Sequence, residues 1–437
     1  MSPNFTTQRV GLLGCGTVGA SLVRLLESQH DEILSRTGLD LVVGGVAVRD
    51  LSIDRGLGLS PDLFTDDPNS LVQSDEIDII IELIGGTDPA RQLIEMALKS
   101  GKPVVSGNKE LIAADGAELF RIAESAGVDL LFEAAVAGGI PLVRPLRESL
   151  IGEPIKQVLG IINGTTNYIL TRMTEAGASY QAALAEAQEL GYAEADPTAD
   201  VEGFDAGAKI AIIATIAFGV SVVANDVYHE GITAITGTDI EFAERAGHVI
   251  KLIAVAEQHQ GEPGTPATVA VRVHPALIPK SHPLAAVRDS FNAVFIEGGA
   301  VGDLMLYGRG AGGEPTASAV LGDVIDAASN LRSQSFARFG PLPPAQIRPI
   351  DELRSAYYLT LNVVDQPGVL ALVADTFGRH DVSIRSMEQE GLDSAARLIF
   401  ITHVAAESDM RATLAEFAKL DAVRSIGAVL RVVGNVG

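Results

Sequence analysis

The strongest constraint on the fold is a glycine-rich turn close to the beginning of the sequence. Gly14, Gly16 and Gly19 form a GxGxxG pattern that follows the apolar run RVGLL and leads into the amphipathic segment ASLVRLLES. In a strand–turn–helix unit the first glycine permits a tight turn, the second admits a pyrophosphate against the backbone, and the third lets helix and strand pack closely. The helix N-terminus, around Thr17 and Val18, offers free N–H groups and a dipole that favour an anion. This context predicts a dinucleotide-binding site.

Short β-branched runs then alternate with amphipathic stretches as far as about Pro145. Further strand candidates are LVVGGVAV, IDIIIEL, PVVSG and DLLFE, separated by helix-like segments such as residues 88–100. These runs lack polar alternation, as expected of parallel strands that helices cover on both faces. We therefore predict an α/β fold whose first domain, residues 1–145, is a Rossmann-type parallel sheet domain, completed by about residues 319–335.

The length of 437 residues suggests about three domains. Residues 146–318 contain Ala-rich helical segments and strands such as VFIEG, which predicts a mixed α/β domain. Four prolines in FARFGPLPPAQIRPID predict a semi-rigid linker over residues 336–355, because proline cannot continue a helix. Residues 356–433 alternate strand and helix patterns from YYLTLNVV to AVLRVVG, which predicts a C-terminal ferredoxin-like βαββαβ domain.

Composition excludes several classes of function. Lys and Arg total 32 against 56 Asp and Glu, a formal charge of −24, and no basic run is present, so we expect no nucleic-acid partner. The one cysteine, Cys15, cannot form an intrachain disulfide, which fits a cytoplasmic protein. The segment MSPNFTTQRV lacks a secretory layout, so no export is expected. The longest uncharged stretch, residues 210–224, is shorter than the ~20 residues that span a bilayer, so we expect a buried core helix and no membrane partner.

The end of the second strand candidate bears on the choice of cofactor. NAD-selective sites usually place a carboxylate there for the ribose hydroxyls, whereas this chain has Val48, Arg49 and Asp50. Arg49 can pair with a 2′-phosphate, which favours NADP(H) over NAD(H). Arg49 could instead be an ordinary surface residue, and the adjacent carboxylate of Asp50 weakens the inference. NAD(H) therefore remains the alternative.

The segment GYAEADPTADVEGFDAGAKIAII holds the candidate catalytic residues. Asp205 and Lys209 are four residues apart at the start of an apolar helix and share one face, while Glu194 precedes them across a proline-containing loop. Lys109, in SGNKEL after a strand end, is a candidate second cation. Two carboxylates and an ammonium suit a zwitterionic substrate, with Lys209 exchanging a proton with an oxygen that undergoes hydride transfer. An ordinary i, i+4 ion pair on a solvated helix explains the same spacing.

Five ordered segments of the chain resemble the motifs of homoserine dehydrogenases: GNKELIA, FEAAVAGGIPLVRPL, NGTTNYIL, GYAEADPTADVEGFDAGAKI and YGRGAGGEPTASAVLGDV. The resemblance covers about residues 9–335. It implies reversible reduction of L-aspartate 4-semialdehyde to L-homoserine, in threonine, methionine and isoleucine biosynthesis, by a catalytic and dimerisation domain. It further implies that Lys209 donates the proton, that Glu194 and Asp205 hold the substrate, and that Lys109 lies between nicotinamide and substrate.

The resemblance also implies a returning cofactor contact and a bound cation. Gly310, in the segment GRGAGG, would touch the cofactor, although a plain glycine turn is the alternative. A monovalent cation, usually sodium in this family, would be held by one carboxylate and several backbone carbonyls, which suit a hard cation. The matching positions are Glu133, Val136, Gly138 and Ile140. A buried, hydrogen-bonded structural carboxylate at Glu133 is the alternative.

The C-terminal domain resembles ACT domains at the turn between its first strand and first helix. Asp365, Pro367 and Gly368 match the DxPG turn of that family, and the helix that follows could receive an amino-acid carboxylate. L-Threonine is the family-based expectation for the effector, and a packing module without ligand is the alternative. An edge strand of such a domain could pair with another subunit, so we expect a homodimer or homotetramer.

Two other functions compete with this interpretation. An ACT-bearing dehydrogenase of another small acid would normally use a histidine with an arginine and an acidic partner, and no such constellation is evident in the sequence. A non-enzymatic sensor of dinucleotide and amino acid should have lost Lys209, Asp205 or Gly16, and all three are present.

Overall fold

A computed structural model describes residues 6–261, 265–392 and 395–434. Residues 1–5, on which the expectation of no export partly rests, lie outside this part of the chain. Backbone contacts divide the chain into two compact units, each built from separate stretches of sequence. The first unit contains the described residues up to 156 with residues 208–226 and 296–345, and the second contains residues 157–207, 227–295 and 346 onward.

The first unit begins with alternating strands and helices. In chain order these are β1 (Thr6–Leu13), α1 (Thr17–Ser28), α2 (His30–Thr37), β2 (Leu39–Ala47), β3 (Phe64–Thr65), α3 (Pro68–Gln73), β4 (Ile79–Glu82), α4 (Ala90–Lys99), β5 (Val104–Ser106), α5 (Lys109–Ala126) and β6 (Leu130–Leu131). Neighbouring strands pair in parallel in the order β3-β2-β1-β4-β5-β6. The predicted Rossmann-type sheet is confirmed. Strand β3 was not predicted, because two residues are too few to show a hydrophobic pattern.

The remaining helices and strands continue through both units. They are β7 (Ile155–Ile161), α6 (Gly164–Ala176), α7 (Tyr180–Glu189), α8 (Thr198–Val201), α9 (Phe204–Phe218), β8 (Tyr228–His229), α10 (Gly237–Arg245), β9 (His248–His259), β10 (Thr268–Pro279), β11 (Phe291–Gly298), β12 (Asp303–Arg309), α11 (Gly313–Ser333), β13 (Arg354–Val364), α12 (Val369–Arg379), β14 (Ile384–Leu392), β15 (Ala395–Thr402), β16 (Ala405–Ala406), α13 (Glu407–Phe417) and β17 (Val423–Val432). Short 3-10 or π-helical turns lie at Pro61–Leu63, Glu133–Ala135, Pro145–Ser149, Ala224–Asp226, Pro283–Ala286 and Ile350–Glu352.

Helix α11 completes the core of the parallel sheet, although it follows the sheet by some two hundred residues. Its Val320 and Val324 are fully buried in one apolar cluster with Val10 and Leu12 of β1 and Leu22 of α1. Burial of side chains of this size stabilises the sheet by roughly 1.5–3 kcal/mol each. A segment distant in sequence therefore completes the hydrophobic core of the Rossmann-type sheet.

The expected core helix over residues 210–224 is shorter than predicted. Helix α9 ends at Phe218, and Gly219 then takes a left-handed φ of 64°. The chain turns away because Ser221 donates a backbone hydrogen bond to the Pro343 carbonyl at 2.7 Å, a contact that sequence periodicity cannot reveal. Within α9, Ile210 is fully buried, as expected of a core helix. Among the described residues no helix combines the length and apolar character needed to cross a membrane.

The second unit is built on a mixed sheet in the order β7-β9-β10-β17-β13-β15-β14. Residues from β13 onward form the predicted βαββαβ arrangement, with β13 antiparallel to both β15 and β17. Strand β17 also pairs in parallel with β10, through Ala276 opposite Arg431 and Leu277 opposite Val432. The ferredoxin-like sheet is therefore continuous with the sheet that precedes it in the chain.

Both faces of the ferredoxin-like sheet are covered within the second unit. On one face Tyr357 and Leu359 pack against Phe377 of α12 and Phe417 of α13. On the other, the Tyr358 ring lies 4.8 Å from Phe242 of α10. Large buried side chains on alternating faces explain why YYLTLNVV forms a strand without polar alternation.

The proline-rich segment is held by hydrogen bonds and ring contacts. In the first unit, the Phe339 ring stacks 4.3 Å from Phe120 and 5.6 Å from Phe132. In the second, Val269 donates its N–H to the Gln346 carbonyl at 2.9 Å. Each end of the segment is thus fastened to the unit to which it belongs.

Candidate active site

The glycine-rich turn has the geometry that a dinucleotide phosphate requires. Gly14 has a φ of 94°, and a Cβ at this position would lie 2.8 Å from the Leu83 carbonyl oxygen. A Cβ at Gly19 would lie 2.6 Å from the Gly14 oxygen, whereas a Cβ at Gly16 would meet no atom within 4 Å. Helix α1 begins at Thr17 and has no side-chain N-cap. Open space thus adjoins the free first turn of a helix, which is the arrangement that binds anions.

The loop after β2 places positive charge beside this turn. Arg49 is exposed at the carboxyl end of β2. Arg55 donates from Nε to the Cys15 carbonyl at 3.3 Å and from a terminal nitrogen to the Asp50 carbonyl at 3.1 Å. Hydrogen bonds from the side chain and backbone of Ser52 lower the pKa of Asp50 and tie its carboxylate into a local turn. Burial raises the pKa of the Cys15 thiol, and the nearby Arg55 opposes that rise.

A buried carboxylate organises the carboxyl ends of β4 and β5. Glu82 is fully buried, and its Oε1 accepts N–H bonds from Ile84 at 2.8 Å and Gly85 at 3.1 Å. Its Oε2 accepts the Ser106 hydroxyl at 2.7 Å. Sequence reasoning missed Glu82, although an acidic residue after three buried isoleucines and before a Gly-Gly pair signals a carboxylate that needs local donors. In sheets of this kind ligands bind at the carboxyl ends of the strands that Glu82 orders.

Lys109 is the first residue of α5 and is half-buried. Asn108 caps this helix, because its Oδ1 accepts the Leu111 N–H at 3.1 Å. The Asn108 amide also donates to the Gly86 carbonyl at 2.6 Å, and its backbone N–H donates to the Ser106 hydroxyl at 3.1 Å. Lys109 therefore starts a helix whose N-terminus is fixed to the loops that follow β4 and β5.

In the second unit one amide joins three helix N-termini. Asn163 caps α6 by accepting the Thr166 N–H at 2.8 Å. Its Nδ2 donates to Asp200 in α8 at 2.7 Å and to Asp205 in α9 at 3.0 Å. Asn163 begins the NGTTNYIL motif, but ordinary helix capping also explains an asparagine at this position, and the sequence does not predict its bond to Asp205. The structure thus brings Asp205 together with a second carboxylate and with a polarised amide.

The other predicted catalytic residues lie as follows. Lys209 follows Asp205 by one helical turn on α9, and both side chains are half-buried. Lys209 and Lys109 belong to the first unit, and Asp205 and Glu194 to the second. Glu194 is exposed in the loop before α8, where its carbonyl accepts the Gln188 amide at 3.0 Å. Convergence of Glu194 on Asp205 stays a prediction.

The segment after β6 wraps around a buried carboxylate. Glu133 accepts backbone N–H bonds from Leu142, from Val143 at 2.7 Å and from Arg144 at 2.9 Å. Its own N–H donates to buried Asp323 at 2.7 Å, and burial raises the pKa of Asp323 to about 7. The carboxylate of Glu133 thus fixes the loop that contains the predicted cation ligands.

Backbone conformation in this loop is unusual. Ala137 and Gly138 both have a φ of 58°, and a Cβ at Gly138 would overlap the Gly310 carbonyl. Val136, Gly138 and Ile140 are buried, and no N–H group in the described part of the chain donates to their carbonyl oxygens. Buried carbonyls without a donor normally have another partner. Nor does any cluster of three or more His, Cys, Asp or Glu side chains suited to a metal occur among the described residues.

Gly310 lies where β12 returns toward the glycine-rich turn. The Arg309 carbonyl, one residue before it, accepts the Gly139 N–H at 3.0 Å. Three residues after it, a Cβ at Gly313 would lie 3.0 Å from the Thr17 side chain. Within the first unit this segment therefore runs between the carbonyl-rich loop and the N-terminus of α1.

The predicted effector turn precedes α12. Asp365, Pro367 and Gly368 are exposed, and Gly368 is the N-cap residue with a φ of 92°. A left-handed residue at this position favours glycine, which is consistent with the tight turn that the sequence predicts.

A glycine-rich turn on a parallel sheet, a lysine-bearing helix and a C-terminal βαββαβ domain together are typical of dinucleotide-dependent oxidoreductases that carry a regulatory domain. Three family models match the chain: "Homoserine dehydrogenase, NAD binding domain" over residues 14–133, "Homoserine dehydrogenase" over residues 141–325 and "ACT domain" over residues 357–422. The chain therefore belongs to the homoserine dehydrogenase family, which makes it an NAD(P)-dependent oxidoreductase.

Individual relatives agree with this assignment over nearly the full chain. A homoserine dehydrogenase of Corynebacterium glutamicum is 50% identical over 97% of this chain and 95% of its own length. The crystal structure of a homoserine dehydrogenase from Thiobacillus denitrificans has a TM-score of 0.92 and 41% identity, covering 98% of this chain and 99% of that one. A hyperthermophilic archaeal homoserine dehydrogenase in complex with NADPH has a TM-score of 0.62 and 27% identity, covering 74% of this chain and 98% of that one. The predicted family, the enzyme class and the ACT domain are confirmed.

Proposed function

We propose that this chain catalyses the reversible NAD(P)H-dependent reduction of L-aspartate 4-semialdehyde to L-homoserine, in threonine, methionine and isoleucine biosynthesis. The observation that carries the proposal is the start of α9, where Asp205 and Lys209 share one helix face inside the family match. A carboxylate and an ammonium suit a substrate that has an ammonium group and a reacting oxygen. A sensor without activity would have no need of such a pair in a chain that also keeps an intact cofactor turn.

The proposed roles follow from the chemistry of each group. The dinucleotide, when bound, supplies the hydride. Asp205 and Glu194 hold the substrate ammonium by charge-assisted hydrogen bonds. Lys209 would give a proton from Nζ to the aldehyde oxygen as the carbonyl carbon receives the hydride. The C=O double bond would become a C–O single bond, new C–H and O–H bonds would form, and one N–H bond of Lys209 would break. In the reverse direction Lys209 takes this proton back, while Lys109 adds positive charge near the developing oxyanion.

The test is an absorbance assay of NADPH oxidation with L-aspartate 4-semialdehyde. We expect turnover by the wild type and a loss of ~100-fold or more in Lys209→Ala, because positioned proton transfer typically contributes that much. Lys280→Ala, which removes an exposed lysine from the second unit, is the matched control and should keep wild-type rates. Circular dichroism establishes that all three proteins are folded. A folded wild type that is inert with both NADPH and NADH would overturn the proposal.

For the cofactor, NADP(H) is favoured over NAD(H). Support comes from the exposed Arg49 at the end of β2, from Arg55 beside the glycine-rich turn, and from the engagement of Asp50 by Ser52. A 2′-phosphate would meet arginine donors there, whereas a carboxylate free to bind ribose hydroxyls is lacking at Asp50. The NADPH complex of the archaeal relative is consistent with this choice. Gly310 would contact the same cofactor from the returning segment.

A monovalent cation, which we take to be Na⁺, would be held by Glu133 and the carbonyl oxygens of Val136, Gly138 and Ile140. The fit is good for two reasons. Those carbonyls are buried without an N–H donor in the described residues, and Glu133 accepts three N–H bonds, fewer than the four lone-pair positions of a carboxylate. Oxygen ligands of this kind suit a hard cation. Such a cation would hold the loop that abuts Gly310 in a fixed conformation.

Regulation and assembly complete the proposal. The ACT domain would bind an amino-acid effector, for which L-threonine is our candidate as an end product of the pathway, and titration calorimetry with L-threonine against L-methionine tests the choice. We further propose a cytoplasmic homodimer or homotetramer. We propose that each part of the chain has its own function. Residues 1–145 with 319–335 would bind the cofactor, and residues 146–318 would carry catalysis and dimerisation. Residues 336–355 would be a linker, and residues 356–433 would regulate the enzyme.

A further inference from the structure

An ion cluster with a buried centre, Arg431 and Glu407, and a partly exposed carboxylate, Glu230, lies where the ACT domain joins the rest of the second unit. Arg431, on β17, is 5% exposed. It donates to both carboxylate oxygens of Glu230 at 2.9 Å, and to Glu407 at 2.6 and 3.1 Å. The Tyr357 hydroxyl donates to Glu407 at 2.5 Å, and the Tyr228 hydroxyl donates to Glu230 at 2.8 Å. One guanidinium therefore bridges a carboxylate of the ACT domain and a carboxylate outside it.

The bridge fixes geometry more strongly than apolar packing would. Burial by itself lowers the pKa of Arg431, but Glu230 and Glu407 raise it, and the net result lies above the ordinary value. The charged form persists, and its planar donors impose a direction on each bond, whereas apolar contact is non-directional. The position of Glu230 is thus set by the last strand of the ACT domain.

Glu230 adjoins a segment that supports helix α9 from behind. Its N–H donates to the Val273 carbonyl at 2.8 Å, in line with the pairing of β8 with β10. The preceding residue, His229, has its ring 4.9 Å from the ring of Phe204. A Cβ at Gly207 would overlap Nε2 of His229, so this position in α9 is a glycine because the imidazole needs the space.

The contact with Gly207 lies behind the catalytic face of the helix. Residues two apart in an α-helix point about 200° apart, so Gly207 lies opposite the face of Asp205. A shift of His229 toward or away from Gly207 would move the start of α9, and Asp205 with it. Within the second unit the path from Arg431 to Asp205 passes through directly packed groups: Glu230, His229 and Gly207.

We propose that Arg431 is a positioning residue for the reaction: from the last strand of the ACT domain it holds Glu230, and through His229 and Gly207 it sets the position of Asp205. The inference rests on the proposed role of Asp205 in binding substrate. It gives the ACT domain a direct mechanical connection to the substrate side of the site, because any displacement of β17 is carried to α9.

The test compares two variants of the bridge with a matched control. Glu230→Gln keeps the shape and a hydrogen bond while removing one charge, and Arg431→Met removes the bridging group. Arg245→Met is the control, because Arg245 also connects α10 to the ACT strand β14, through Glu390 at 2.7 Å, but is exposed, and exposed pairs contribute little. Thermal unfolding of the full-length proteins establishes which variants are folded.

Steady-state kinetics in the homoserine-oxidising direction separate positioning from general damage. We expect Glu230→Gln to raise KM for homoserine about fivefold or more and to leave KM for NADP⁺ within about twofold. Arg431→Met should do the same or more, with partial recovery in Arg431→Lys, and Arg245→Met should match the wild type. An unchanged homoserine KM in folded Glu230→Gln, or an equal rise in both KM values, overturns the inference.

A double variant distinguishes this inference from the role of Asp205 on which it rests. Asp205→Asn should raise KM for homoserine, and adding Glu230→Gln should raise it little further, because both changes act on one contact. If the two effects multiply, Glu230 does not act through Asp205, and the positioning inference fails while the role of Asp205 stands. If Asp205→Asn leaves KM unchanged, the proposed role of Asp205 fails and the inference fails with it.

Discussion

Lys251 offers a test of the packing behind helix α6. It is 4% exposed on β9, and its ammonium donates to the Val287 carbonyl at 2.6 Å and to the side-chain oxygen of Asn167 at 2.9 Å. The Asn167 amide in turn donates to the Asp289 carbonyl at 2.8 Å. Burial lowers the pKa of Lys251 from 10.5 to about 8. Helix α6 thus packs on a lysine whose charged form is destabilised by burial.

This destabilisation can be worked out from the two pKa values. In the unfolded chain Lys251 should titrate near 10.5, so its pKa falls by about 2.5 on folding. At about 1.4 kcal/mol for each tenfold change in proton affinity, the protonated form disfavours folding by about 3 kcal/mol. The unfolded state binds the proton more tightly, so this group makes the free energy of unfolding rise with pH between about 8 and 10.5.

Replacing Lys251 by methionine should abolish this rise. Urea unfolding of the wild type and of Lys251→Met at pH 7 and pH 10 measures it, because other titrating groups are shared and cancel in the difference. We expect the wild type to gain about 2 to 3 kcal/mol relative to Lys251→Met over this interval. Lys280→Met, at an exposed lysine, should track the wild type. A difference between wild type and Lys251→Met that stays constant with pH would refute the reasoning.

Three further predictions concern the cofactor and the cation. Gly138→Ala should lower the melting temperature by several degrees, since a left-handed Cβ costs roughly 1–2 kcal/mol and would overlap Gly310; a shift below about 1 °C in thermal unfolding would contradict this. Exchange of sodium for a bulky organic cation should lower the turnover rate of the wild type, whereas Glu133→Gln should turn over slowly in both salts. An equal dependence of the two turnover rates on sodium would argue against the cation site. Arg49→Ala should raise KM for NADPH about tenfold and leave KM for NADH within about twofold; parallel changes would exclude a 2′-phosphate contact.

The sequence predicts most of the strands and helices because hydrophobic periodicity and turn residues within each segment specify them. The first strand and helix could be read from an apolar run, from three glycines with distinct steric tasks and from an amphipathic segment. The C-terminal βαββαβ order was equally predictable, because its strands are long and turn-forming residues separate its elements. Strand β3, two residues long, carries no pattern, and the end of α9 at Phe218 depends on a partner more than a hundred residues away.

The sequence singles out the charged residues of the candidate site, but not the residues that support them. Asp205 and Lys209 stand out because charges on an apolar helix demand explanation, and helical periodicity places them on one face. Asn163 and Glu82 support the candidate site through hydrogen bonds to Asp205 and Ser106, which are distant in sequence and come close only in the folded chain. The carbonyl oxygens of the 136–140 loop are invisible to residue-type reasoning altogether, because every residue has one.

The join between β10 and β17 changes what the ACT domain can do in an oligomer. A free ferredoxin-like sheet has two edges, at its second and fourth strands, and either can pair with another subunit. Here β17 already pairs with β10, and Arg431 fastens that edge to Glu230. The edge that remains is β14, with Arg385 and Glu388 exposed along it. Sheet pairing between ACT domains of two subunits would therefore use β14, and effector binding at such an interface would reach α9 through the same sheet that holds Arg431.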